Sequence, residues 1–130
     1  MDELSPEDGD VVIVSSGLSA FDNPLLEEEL RNRGVRDVLV CGMSGDVGVE
    51  SLMRDAYEKG FNVFAVADCI ASSSNEAQKV LLEESLPMIG ITVTTHKEVS
   101  TPLSLCSISS LLLPFPLLSL FFSCASMCRR

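Results

Sequence analysis

The first 99 residues predict an α/β domain, a parallel sheet with helices on both faces, and residues 100–130 form a segment of a different kind. Two observations predict the domain: short apolar runs of strand length alternate with amphipathic stretches of helical period, and the links between them are brief and marked by glycine. A third sets off the tail, because no charged residue lies between Ser100 and Cys128.

Val11-Val12-Ile13-Val14, after Asp10, suits a buried parallel strand. Asn23-Pro24 opens a helix, with proline tolerated in its first turn. Leu25, Leu26 and Leu30 recur on one face, and Glu27, Glu28 and Glu29 sit early, where the helix dipole favours acids. Arg31 and Arg33 close that helix before Gly34. Val38 to Cys41 predicts a second strand, and Gly42 begins a turn. A helix from about Val47 to Lys59 turns Val49, Leu52, Met53 and Ala56 inward and ends at Gly60. Phe61 to Val66 is a third strand. A helix from Asn75 to about Ser85 places Ala77, Val80 and Leu81 together, and Met88 to Val93 is a fourth strand.

The order β-α-β-α-β-α-β implies right-handed crossovers. Ligands then gather at the carboxyl ends of strands, here Ser15-Ser16, Met43 to Asp46, and Asp68. The N-terminal strand would be an exposed edge, so a homo-oligomer through an open sheet edge is expected.

Composition narrows the function. Nine Lys and Arg against nineteen Asp and Glu give −10, a charge that nucleic acid and anionic membrane surfaces repel. The five cysteines make no CxxC pair and His96 is the only histidine, so no metal site and no cofactor are expected. An odd cysteine count without a disulfide framework and an acidic N-terminus without an apolar core lead to the expectation of reduced thiols in a cytoplasmic chain without a leader.

Residues 109–123 are only Leu, Ser, Pro and Phe, four amino acids with all-pyrimidine codons. The tail therefore reads as a disordered or aberrant segment, such as a translated pyrimidine tract. The functional rival is a membrane anchor through residues 106–125, which would make the protein membrane-associated; Pro114 and Pro116 weaken a helix there.

Several blocks carry a family resemblance. Gly9 to Val14, Ser19-Ala20-Phe21, Leu30 to Gly42, Asp55-Ala56 with Gly60, Val66-Ala67-Asp68, and Glu76 to Thr94 together resemble the isochorismatase-like cysteine hydrolases, which include nicotinamidases. The resemblance covers roughly residues 4–99 and corresponds to the C-terminal part of a family domain. It implies a three-layer α-β-α, Rossmann-like sheet, truncated at its N-terminus, from a family that commonly self-associates.

The resemblance also implies a chemistry. The family uses an aspartate base, a supporting lysine and a cysteine thiolate that attacks an amide or similar carbon. The aspartate and the Asp/His metal ligands of nicotinamidases belong to the part this chain lacks. The lysine slot, six residues before Phe21, holds Ser15; the cysteine slot holds Gly48; and Gly45 replaces a common threonine. No catalytic group is intact. A residual pocket of Phe21, Met43, Ser44, Gly45, Asp46, Val47 and Asp68 is implied, with a non-proline cis peptide joining Met43 and Ser44. The Gly48 N–H, near the family's oxyanion hole, could still meet a small-molecule carbonyl or an anion.

Ser15 and Ser16 have no histidine nearby in sequence to act as base. Cys41 suits a core position, while Cys69 at a strand mouth is the better candidate for an exposed thiol. Asp46 and Asp68 suit capping and loop ordering, and His96 a surface position. The expectation is a non-catalytic remnant or isoform that binds small molecules or self-associates. The alternatives are an active hydrolase of a small amide, ester or vinyl ether, using a substitute nucleophile or a partner chain, and a tail-anchored membrane protein.

Overall fold

A computed structural model describes residue 6 and residues 8–100. The tail, with its disorder and membrane-anchor expectations, lies outside the described residues. Helix α1 spans Pro24–Asn32, strand β1 Asp37–Met43, helix α2 Glu50–Glu58, strand β2 Asn62–Ala71, helix α3 Asn75–Val80, helix α4 Leu86–Met88, strand β3 Thr92–Thr94 and helix α5 His96–Ser100. Short π-helical turns, Gly45–Val49 and Leu81–Ser85, lead into α2 and α4.

Among the described residues the sheet has three parallel strands in the order β1-β2-β3. Val38 pairs with Val63 and Val40 with Ala65. All four are buried, because alternate residues of a strand face the same side. Leu39 and Phe64, on the other face, are half-buried. Leu26 and Leu30 of α1, and Leu52, Met53 and Ala56 of α2, complete the core with Leu81, Leu86 and Ile91. Asn23 caps α1 by accepting the Leu25 N–H, and Gly60 takes a φ of +84° after α2, a conformation that side chains resist.

The parallel α/β architecture agrees with the sequence, and four details do not. Residues 11–14 form no strand: Val12 and Val14 are 67% and 74% exposed, and only Ile13 packs against the core. A lone apolar run cannot become a strand without a neighbour to satisfy its N–H and C=O groups. Among the described residues the outer strand of the sheet on that side is therefore β1 rather than an N-terminal strand. The last strand is Thr92–Thr94 and not residues 88–93, because Leu86–Met88 continues the helical stretch past Ser85 and Gly90 then breaks it with a φ of +87°. Leu25 and Val80 point outward, at 60% and 49% exposure. Each sits beside the buried stripe, and Leu26 with Leu30, and Leu81, take the inward positions. Finally, β2 runs on to Ala71, with a break in register between Val40 and Gly42 that brings Gly42 opposite Ile70.

Candidate functional site

The site is built where β1 hands over to α2. Gly42 has a φ of +125°, so the strand can turn sharply only because this residue has no side chain. The Met43–Ser44 peptide bond is cis, as the resemblance implies. The chain then enters the π-helical turn, where the Val47 and Val49 N–H groups both donate to the Ser44 carbonyl.

Two neighbouring segments close on this turn. On one side is the end of β2 and the loop after it. A Cβ at Gly45 would lie 2.5 Å from Ser72 Oγ and 2.7 Å from Ile70 Cγ2, so no larger residue fits there unless those groups shift. On the other side is the loop before α1. A Cβ at Gly48 would lie 3.4 Å from the Leu18 carbonyl, an ordinary contact, so the Gly48 position would accept a Cβ.

Asp46 is the electrostatic centre of the turn. Ser44 Oγ donates to its Oδ1 at 2.6 Å, the Ser73 N–H donates to the same oxygen at 3.2 Å, and Ser73 Oγ donates to Oδ2. These donors, the Ser44 hydroxyl first, hold the Asp46 carboxyl down at about 2. Asp46 thus ties the α2 turn to the β2–α3 loop and carries no proton for acid catalysis at neutral pH.

Asp68 forms a separate network. The His96 backbone N–H donates to its Oδ1 at 2.9 Å, and His96 Nδ1 meets Oδ2. The His96 contacts, backbone first, lower the Asp68 carboxyl below its usual range. Asp46 and Asp68 therefore hold different partners and do not act on each other through these hydrogen bonds. Glu98 completes the start of α5 by accepting from Thr94 Oγ1 and the Thr95 N–H.

The remaining candidates fall into place. Ser15 Oγ donates to the Ser19 carbonyl at 2.9 Å and accepts the Gly17 N–H, so it shapes its own loop. Phe21 is half-buried and lines an apolar crevice with Leu26, Leu30, Val38, Leu39, Val40 and Leu52. Met43 and Val47 are exposed at 64% and 43%. Cys41 is half-buried; Cys69 is exposed, but desolvation and the Asp68 charge push its thiol pKa up. His96 lies on the surface, as its position in the sequence suggested.

The sequence reading missed three residues of this neighbourhood. Ser73 holds Asp46; Ser72 Oγ is buried without a hydrogen-bond partner; and Gln78 Nε2 donates to the Ile70 carbonyl at 2.7 Å. The run Ser72-Ser73-Ser74 was a visible signal for a polar turn, and Ser74 does cap α3 through the Ala77 N–H. Nothing in it named Asp46 as the distant partner. Among the described residues, no group of three or more His, Cys, Asp or Glu could hold a metal, and no helix is long and apolar enough to cross a membrane.

The fold and this turn define a parallel α/β domain with a sharp strand-to-helix turn at the carboxyl end of β1. Residues 1–98 match the Isochorismatase domain family. The uncharacterized isochorismatase family protein YwoC of Bacillus subtilis is 30% identical over 95 residues, 73% of this chain and 50% of that protein. An isochorismatase family protein from Burkholderia thailandensis superposes with a TM-score of 0.68 and 34% identity, covering 72% of this chain and 50% of that one. A nicotinamidase from Bacillus subtilis superposes with a TM-score of 0.58 and 30% identity, covering 62% of this chain and 44% of that one. The chain belongs to the isochorismatase family, and it spans about half the length of the curated relatives it matches.

Proposed function

We propose that this chain is a non-catalytic member of the isochorismatase family that keeps the strand-to-helix turn as a binding site for a small carbonyl compound or anion. The observation that carries the reading is Gly48. The position would accept a Cβ at ordinary contact distance from the Leu18 carbonyl, yet the residue carries no side chain that could attack a carbonyl. The chemistry around it supports the same conclusion. Ser15, in the slot the resemblance assigns to lysine, has its hydroxyl committed to Ser19. Asp46 is held ionised by serine donors, and the Cys69 thiol is disfavoured as a thiolate. What the turn retains is backbone N–H groups at the start of a helical segment, which favour negative charge or a carbonyl oxygen.

The test is a paired measurement on the full chain. Hydrolysis of nicotinamide, a ureido amide and a vinyl-ether acid should stay at the buffer rate, before and after alkylation of every thiol. Amide chemical shifts of residues 44–48 should move on titration with the same compounds. Turnover that co-purifies with the chain and disappears on alkylation would overturn the reading in favour of a substitute cysteine. Unchanged shifts at saturating ligand would remove the binding role.

A further inference from the structure

We propose that Ser73 is a phosphorylation site for an acid-directed serine kinase, and that its phosphate releases the β2–α3 loop from the α2 turn. The inference is independent of whether that turn binds a ligand.

Ser72-Ser73-Ser74 joins β2 to α3, outside helix and strand. The three hydroxyls are used differently. Ser72 Oγ is buried against the turn at Gly45. Ser74 Oγ accepts the Ala77 N–H and caps α3. Ser73 is exposed, and its Oγ donates to Asp46 Oδ2. A hydroxyl on an exposed loop, held by one hydrogen bond, comes free through a small local opening.

Kinases choose among serines by the charges that flank them. Exposed Glu76 stands three residues after Ser73, a spacing that offers a carboxylate to the basic cleft of an acid-directed kinase. At the same spacing Ser72 has Asn75 and Ser74 has Ala77. Among the described residues only one other serine has an acid there: Ser19, with Asp22, and Ser19 is 5% exposed. Sequence and exposure thus select the same hydroxyl, and it is the one that Asp46 holds.

The co-reactant is a nucleoside triphosphate. Ser73 Oγ attacks its γ-phosphorus, the hydroxyl proton passes to the kinase's catalytic base, the bond to the β–γ bridging oxygen breaks, and the diphosphate leaves. The product reverses the electrostatics of the loop. Ser73 loses the O–H that donated to Asp46 and gains a charge of roughly −1.5 to −2. That charge faces a carboxylate already ionised at neutral pH. Both hydrogen bonds that Asp46 receives from the loop come from Ser73, its N–H and its hydroxyl, while Ser44 belongs to the turn itself. Repulsion at this one residue therefore loosens the loop and draws Ser72 and Ile70 away from Gly45.

The test uses the full chain carrying Ser5→Ala, because Ser5 also has an acid three residues on, Asp8. Incubated with an acid-directed serine kinase and magnesium ATP, it should take phosphate at Ser73, located by peptide mass spectrometry. Glu76→Gln, which leaves the Asp46 contact in place, should slow this modification about ten-fold or more. In the phosphorylated chain, backbone amides of residues 44–49 and 71–74 should exchange with deuterium about ten-fold faster than in the unmodified chain. They should also exchange faster than in Ser73→Ala, which loses the donor and gains no charge. With Asp46→Asn the repulsion is gone, and phosphorylation should change exchange little. The comparison of modified with unmodified chain needs no substitution at either partner, and it decides the matter if a variant fails to fold. A chain without phosphate at Ser73, or one modified there equally fast as Glu76→Gln, overturns the site. Phosphate at Ser73 with unchanged exchange at 44–49 overturns the release.

Discussion

At the scale of single residues, the two glycines of the α2 turn make opposite demands. Gly45 is closed in by Ser72 and Ile70, so Gly45→Ala should cost about 1–3 kcal/mol, the usual range for overpacking. Gly48→Ala meets only the Leu18 carbonyl at contact distance and replaces a poor helix former, so it should be neutral or gain up to about 1 kcal/mol. Urea unfolding of both variants gives the comparison. Cys69 makes a second residue-scale prediction. It is exposed, yet its thiol is pushed up by desolvation and then by Asp68, so iodoacetamide should label it more slowly than free cysteine at neutral pH. Asp68→Asn should speed that labelling, read by peptide mass spectrometry. The position that the resemblance assigns to a nucleophile could be located from the residues before Gly48; the contact a Cβ would make there, and the fit that excludes a side chain at Gly45, could not. Those are distances to Leu18, Ile70 and Ser72, residues far off in sequence.

At the scale of elements, side chains join pieces that the backbone ladder leaves separate. Glu27 of α1 binds Lys59 at 2.7 Å and Arg31 at 2.8 Å, and Arg31 Nη2 donates to the Lys59 carbonyl. Lys59 also lies 5.5 Å from the centre of the Phe21 ring, and Arg31 lies 5.0 Å from that of Phe61. Helix α1 is thereby fastened to the turn that ends α2. Gln78 does the same work for α3, since its amide holds the Ile70 carbonyl at the end of β2 while its own Oε1 is buried without a partner. Gln78→Leu removes the donor and strands the carbonyl, so it should cost about 1–2 kcal/mol and speed amide exchange in residues 67–71. The helix periods and caps were legible in the sequence because they are local: Asn23 with Leu25 and Ser74 with Ala77 lie within one turn. The length of β2 was not, because its last residues become a strand only through pairing with Gly42 and Met43.

At the scale of the whole molecule, the pH dependence of stability follows from carboxylates that bridge elements. Asp46 joins the α2 turn to the β2–α3 loop and Asp68 joins β2 to α5, and both have lowered pKa values in the folded state. A depressed acid stabilises the fold above its unfolded pKa of about 3.9 and ceases to do so as it protonates in the folded state. Stability should therefore be flat from neutral pH to about 5, then fall as pH drops through 4 towards 2, the value near which Asp46 takes its proton. Denaturant midpoints measured across that range check the shape. Ser73→Ala, which removes a hydroxyl donor to Asp46, should make the fall shallower and shift its lower end upward. An unchanged acid limb in this variant would assign the fall to other groups.

The sequence by itself determined the alternation of strands and helices, the helix ends, the family and the absence of a side chain at Gly48. Each of these depends on residue type and on neighbours within a turn or two. Tertiary structure decided the rest. It left residues 11–14 outside any strand, because among the described residues no strand lies beside them, and it made β1 an outer strand of the described sheet. It also gave Asp46 to Ser73 and Asp68 to His96, partners 27 and 28 residues away that meet only when the parallel strands bring their carboxyl ends together.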